Sequence, residues 1–258
     1  YTPNGVTGGD AGSAYASAVS EDLQISNDVT IGKSLYGGIA PASAGNGGSA
    51  EGGASGARRG GLGGSADAYA DNNKVKITDV KVGESVYSGY SSAHSGNGST
   101  GGNAGAGNPG GDGGSGGDAL ASSTRNSSEI TDADITGSLY GGYAEAESGN
   151  GGNGGTSQLW GAAANAGTGG SGGKTEALAD YNKTSFTDGK VNGSVYGGYA
   201  SAQSGAGGIG GLGPSGGTFP GGTGGSGGIA YASARSNDLL FSGDAEIVGT
   251  VYGGYALA

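Results

Sequence analysis

Apolar positions in this chain fall into short alternating runs, and the set of runs returns five times. The first run is small: Ala14-Tyr15-Ala16-Ser17-Ala18, Asp67-Ala68-Tyr69-Ala70, Asp118-Ala119-Leu120-Ala121, Glu176-Ala177-Leu178-Ala179 and Ala230-Tyr231-Ala232-Ser233-Ala234. A period of two puts successive side chains on opposite faces and predicts a strand. A polar link follows, such as Arg125-Asn126-Ser127-Ser128 or Asp180-Tyr181-Asn182-Lys183. The second run is an apolar residue, a hydroxyl residue, then Asn, Asp or Gly, as in Ile25-Ser26-Asn27-Asp28, Ile130-Thr131-Asp132 and Phe186-Thr187-Asp188-Gly189. It predicts a strand that ends in a turn, because Asn and Asp tolerate left-handed φ and Gly has no steric penalty there.

The third run begins with a branched residue, as in Ile135-Thr136-Gly137-Ser138-Leu139, and enters a cassette read five times. The copies are Leu35-Tyr36-Gly37-Gly38-Ile39, Val86-Tyr87-Ser88-Gly89-Tyr90, Leu139-Tyr140-Gly141-Gly142-Tyr143, Val195-Tyr196-Gly197-Gly198-Tyr199 and Val251-Tyr252-Gly253-Gly254-Tyr255. The first Tyr positions lie 51, 53, 56 and 56 residues apart. Strict alternation would put Leu139 and Tyr143 on one face, yet Glu145 and Glu147 belong outside and so place Ala144 inside. The conflict of one residue predicts a bulge or bend at Gly141-Gly142.

Between these β-like units lie Gly-rich arms with uniform starts, such as Ser148-Gly149-Asn150-Gly151-Gly152, and uniform ends, such as Gly169-Gly170-Ser171-Gly172-Gly173. Their Gly-Gly-X triplets fit an extended three-residue helix of the polyproline II type. The flanking strands read as the two legs of a hairpin, so each arm is expected to fold out and back and stack on its neighbours. A flexible Gly/Ser linker is the alternative.

Self-similarity at one long period is the mark of a solenoid. The fold class expected is all-β, a parallel β-solenoid of about five coils with long Gly-rich arms, possible polyglycine II segments, inserted between coils. Residues 1–258 read as a single repeat domain. The β units lie at about 10–44, 65–95, 118–148, 174–204 and 229–258, and the arms at about 45–64, 96–117, 149–173 and 205–228. Stacked in register about 4.8 Å apart, Leu35, Val86, Leu139, Val195 and Val251 become a lumen column. Tyr36, Tyr87, Tyr140, Tyr196 and Tyr252 become a stack of offset rings. The chain starts and stops in phase with the repeat and shows no polar cap. That leads to the expectation of a piece of a longer repetitive protein, or of subunits stacking head to tail into an open filament.

Composition sharpens this picture. Of 258 residues 67 are Gly, with 5 Pro and no Gly at every third position throughout, which excludes collagen. There is no Cys, hence no disulfide framework or thiolate metal site. No run approaches a transmembrane length, and nothing at the start reads as a signal peptide. The formal charge of −11 argues against nucleic acid and anionic membrane surfaces and favours solubility.

Candidate chemistry is sparse. His94 lacks a second His, a Cys or a matched acid and reads as a solvated polar residue. The run Gly113-Gly114-Ser115-Gly116-Gly117-Asp118 matches a calcium nonapeptide pattern, but Lys174 and Ile229 replace the Asp in later arms. The turn column Asn27, Asp79, Asp132 and Asp188 is the better calcium candidate, because carboxylates stacked at coil spacing repel one another. Its other reading is solvated turn residues. Asn97, Asn126, Asn182 and Asn192 lie in Asn-X-Ser/Thr sequons. Trp160 and Phe219 sit midway along their arms, where exposed aromatics at tips would meet sugars, a protein partner or ice.

The cassette, with its preceding Val/Ile-X-X-Ser/Thr, resembles repeats in the β-helical passenger regions of bacterial autotransporters and related large surface adhesins. The Gly-Gly-X arms resemble tracts of mycobacterial surface proteins and of polyglycine II folds, including certain insect antifreeze and phage tail-tip proteins. The resemblance implies secretion, a right-handed β-helix and no catalytic centre. The function expected is a non-enzymatic extracellular structural protein of a surface fibre, sheath or biofilm matrix, whose main partner is itself. An adhesin that binds glycan, a host surface or ice through its arm tips is the alternative.

Overall fold

Alternation of period two becomes parallel pairing between like segments of successive coils. The computed structural model describes residues 6–52, 56–105, 107–157, 165–213 and 221–258. Each coil gives one strand to each of four five-stranded parallel sheets. The first sheet contains Ala14–Val19, Ala66–Asp71, Ala119–Thr124, Thr175–Leu178 and Ala230–Ser233. The second contains Asp22–Ile31, Lys74–Val82, Ser127–Ile135, Lys183–Val191 and Asp238–Ile247. The third is the two-residue heart of the cassette, Leu35–Tyr36, Val86–Tyr87, Leu139–Tyr140, Val195–Tyr196 and Val251–Tyr252. The fourth contains Ile39–Ser43, Tyr90–His94, Tyr143–Glu147, Tyr199–Gln203 and Tyr255–Leu257. The fold is a parallel β-solenoid of about five coils, and like pairs with like: Ile77 lies beside Ile25 and Ile130.

One strand boundary differs from the sequence reading. The second strand does not stop at its Asn or Asp. Asn27, Asp79, Asp132 and Asp188 all have φ between 50° and 74°, yet pairing continues beyond them to Ile31, Val82, Ile135 and Val191. Each left-handed residue bends a continuous strand, because its neighbours in the next coil bend at the same place. The real break falls one step later, between Ile135 and Leu139. Ser85 and Ser138 in this second gap offer Oγ to the N–H of Ser138 and Ser194 in the next coil, at 3.0 and 3.1 Å. That bonding accounts for the Ser or Thr before each cassette.

The interior tapers with side-chain size. Where the second and third sheets face each other, Phe186, Ile77, Ile130, Val86, Leu139 and Val195 are fully buried. Where the first and fourth sheets face each other, the filling is mostly Ala, including Ala68, Ala93, Ala121, Ala144, Ala177 and Ala200, with Ser91 and Thr175 in the same columns. Beyond them the same two layers run on into the arms, and the filling shrinks to Gly. Interlayer separation follows side-chain bulk in a close-packed interior, so the order of large, Ala and Gly along each repeat brings the two layers closer step by step.

The described parts of the arms are paired legs, with a three-residue hydrogen-bond period of the kind an extended three-fold helix requires. Gly113 and Gly116 donate to Thr168 and Ser171 in the next coil's returning leg. Gly114 and Gly117 donate to Ser99 and Gly96 in the outgoing leg of their own arm. Their carbonyls accept from Gly152 and Gly149 of the next outgoing leg. The X residue points out, and its N–H is caught by a side chain: Asn97 Oδ1 accepts from Asn150 at 2.7 Å, and Asp112 Oδ1 from Thr168 at 2.8 Å. Ordering a Gly-rich chain costs roughly 1–2 kcal/mol per residue. A net hydrogen bond contributes about 1 kcal/mol, so only legs bonded on several sides hold together.

Candidate functional site

The cassette places its tyrosines on the outer surface between the third and fourth sheets. In the first column, Tyr36, Tyr87, Tyr140, Tyr196 and Tyr252 stack with centroids 4.9, 4.7, 4.9 and 4.9 Å apart and planes within 8°. Parallel rings at that centroid distance are offset stacks. A second column, Tyr90, Tyr143, Tyr199 and Tyr255, stacks at 5.0, 4.8 and 5.3 Å. The two columns meet edge to face, as between Tyr140 and Tyr143 at 5.4 Å. Ile39 takes the second position in the first coil. Within the columns the ring faces are covered by other tyrosines, which leaves Tyr87, Tyr140 and Tyr143 half-buried, and the Tyr143 hydroxyl donates to Glu145 Oε2 at 3.3 Å.

The lead-in Gly pair makes this possible. A Cβ on Gly141 would overlap the Gly197 carbonyl, and one on Gly142 would overlap the Asn182 side chain. The bend at the pair also shifts the phase, so that Leu139 and Ala144 are both buried while Tyr140 and Tyr143 point out. Ser88 replaces the first Gly in the second coil, and its buried Oγ has no hydrogen-bond partner.

Burial pushes the Tyr87 hydroxyl up to about 12, with Tyr140 and Tyr36 adding to it. Burial also raises Tyr90, Tyr140, Tyr143 and Tyr199. A raised folded value means the neutral form is favoured in the fold. The resulting stability is complete below the unfolded value of about 10 and is lost as pH rises toward the folded values. Tyrosinate absorbance should therefore lag behind that of the urea-unfolded chain, and unfolding should set in above about pH 10. Coincident titration curves for folded and unfolded protein would contradict the buried ladder.

The sequence reading missed a second ladder. Asn73, Asn126, Asn182 and Asn237 fall in one column between the first and second sheets, and the first three are almost fully buried. Asn126 Oδ1 accepts from the N–H and Nδ2 of Asn73 at 2.9 and 3.0 Å. Asn126 Nδ2 donates to Ala70 O and Asn182 Oδ1 at 3.0 and 3.1 Å. Asn126 and Asn182 are therefore interior residues and not the exposed sequons of a polar link. The signal was present in the sequence: each Asn stands four residues before the large apolar residue Ile77, Ile130, Phe186 or Phe241.

Val86, Leu139 and Val195 lie in the interior and Leu35 is nearly covered, whereas Val251 in the last coil is 45% exposed. The acidic column Asp79, Asp132 and Asp188 runs along the bend of the second sheet. Among the described residues no three Asp, Glu, His or Cys side chains form a group able to hold a metal ion. His94 has an acid after all: Glu147 of the next coil lies 3.7 Å from its Nε2, both groups about half exposed. Trp160 and Phe219 lie outside the described residues.

Most distinctive are the two ends. Interior coils close their lumen completely, but Leu23, Ile25 and Ile31 in the first coil and Leu239, Phe241 and Ile247 in the last are only partly covered. Among the described residues the outer edges of the first and last coils pair with no further strand. No protein-family model matches the chain, and no curated protein matches it. Among solved structures it is similar to the nine polyproline type II helical bundle springtail antifreeze protein from Granisotoma rainieri. Identity is 19%, over 89% of this chain and 97% of that one, with a TM-score of 0.22. Similarity at that level carries neither fold nor function from one protein to the other.

Proposed function

We propose that this chain is a non-enzymatic structural protein of an extracellular or cell-surface fibre, sheath or matrix, built by head-to-tail stacking of β-solenoid subunits or repeats. The observation that carries the proposal is the stacking itself: four parallel sheets, and columns of Tyr, Asn and Ser, join each coil to the same groups of the next. Open edges are templates for further pairing, and a head-to-tail contact that does not close into a ring gives a filament. The side-chain chemistry supports a building role. Its Tyr, Asn and Ser columns bond to their own copies in the next coil, as stacking requires. The resemblance of the cassette to autotransporter passenger repeats is what favours a place outside the cell.

Sedimentation of the purified chain tests this. The weight-average mass should climb steadily with concentration, as for open-ended assembly. A single monomer boundary at every concentration would sink the proposal.

A further inference from the structure

We infer that the double tyrosine column carries a one-electron oxidising equivalent along the solenoid and delivers it to Tyr143, which becomes a neutral tyrosyl radical as Glu145 takes its phenol proton. The co-reactant is a one-electron oxidant arriving from solvent, such as a carbonate or peroxyl radical or an oxidising metal complex. The activity belongs to the side of the solenoid and does not depend on whether separate chains stack.

Composition directs the oxidant to these rings. Cys and Met are the side chains that ordinary oxidants attack most readily, and this chain has neither. It has 14 Tyr and one Trp. Five of the tyrosines stand in the first column and four in the second.

The path has no gap. In the second column Tyr143 stacks on Tyr90 at 5.0 Å and on Tyr199 at 4.8 Å. It also meets Tyr140 and Tyr87 of the first column edge to face, at 5.4 and 5.7 Å. Aromatic rings at these centroid distances are in contact. An electron passes from one to the next without crossing solvent or backbone, and two parallel columns keep the path open when one ring is altered.

The proton decides where the hole rests. Removing an electron from a phenol turns its hydroxyl into a strong acid, so the oxidised state is held where a base can take the proton. The Tyr143 hydroxyl donates to Glu145 Oε2 at 3.3 Å. Among the described residues no other hydroxyl of the two columns is bonded to a carboxylate. Tyr87, Tyr90 and Tyr140 instead meet the hydroxyls of Ser85, Ser92 and Ser138, which are far weaker bases. The charge of Glu145 also bears on Tyr90 and Tyr199, the rings on either side of Tyr143, and so attracts a positive hole from both directions. The column of Glu145 holds Pro41, Ser92, Ser201 and Leu257 in the other coils, which makes the third coil the only one with this base. The step balances: one electron goes from Tyr143 to the oxidant, the O–H proton goes to the Glu145 carboxylate, and a neutral radical is left beside a carboxylic acid.

Ile39 heads the second column in the first coil, pairs with Tyr90 and is 51% exposed. Ile39→Cys gives the chain its single thiol, which carries a ruthenium polypyridyl label. Trp160→Phe in the same chain removes the one Trp as a competitor. Light and a soluble electron acceptor convert the label to ruthenium(III), and a nitroso spin trap with peptide mass spectrometry locates the radical. In dilute protein the adduct should concentrate on Tyr143, two coils from the label. Glu145→Gln should cut the Tyr143 share at least fivefold with melting unchanged, and Tyr143→Phe should move the adduct to other tyrosines of the columns. Adduct confined to Tyr36 and Tyr90, beside the label, would show that the columns do not conduct and would overturn the inference. Adduct spread along the columns and insensitive to Glu145→Gln would overturn the assignment of Tyr143 and the proton-accepting role of Glu145.

Discussion

Asn126→Ala is expected to cost about 3–5 kcal/mol of stability, since each buried polar group left without its partner costs about 1–3 kcal/mol. Removing the side chain strands the N–H of Asn73, the carbonyl of Ala70 and a donor-acceptor pairing with Asn182. All lie where water does not reach. Asn126→Asp separates the parts of the effect. It keeps an acceptor for Asn73 but has no amide to donate to Ala70, and it places an ionisable group in the interior. Denaturant midpoints should order native above both variants. A loss below about 1 kcal/mol for the alanine variant would mean that the ladder is incidental.

Gly114→Ala is the second large effect, expected at about 3 kcal/mol from overpacking. The new Cβ would overlap the Gly61 carbonyl in the preceding arm. Backing away breaks the bond from Gly114 to Ser99 and the one it receives from Gly152. Damage should therefore spread to the neighbouring arms while the β coils persist. Hydrogen exchange reads this directly: protection should fall across Gly96–Gly117 and Gly149–Gly155, with little change at Ile130 or Val86. Gly12→Ala is the control, since it adds the same methyl group to open space. If Gly114→Ala left arm protection intact, the legs would not be packed as described.

Much of this was legible in the sequence because a solenoid writes each contact as a column. The stacked Tyr36 to Tyr252 series, the phase break at Gly141-Gly142 and the left-handed Asp79 and Asp132 all follow from local chemistry repeated at one period. Four features were hidden for physical reasons. Asn126 looks like a turn residue until the coil closes over it. Asp132 looks like a strand end, yet a bend shared by all neighbours keeps the parallel ladder intact. The Oδ1 of Asn97 and Asp112 serves the next leg's X-residue N–H, a role visible only once the legs are aligned. The pairing of His94 with Glu147 likewise depends on inter-coil register.

This protein is a ladder in three materials, large apolar side chains, Ala and bare backbone, each packed against or bonded to its counterpart one coil on. Coils bonded in that way can stack on further coils. Cryo-electron microscopy of the purified chain at high concentration tests that most directly. The account predicts unbranched filaments whose axial repeat is about 24 Å, five coils at about 4.8 Å each, with Gly-rich arms resolved along one side. Dispersed single particles at high protein concentration would contradict it.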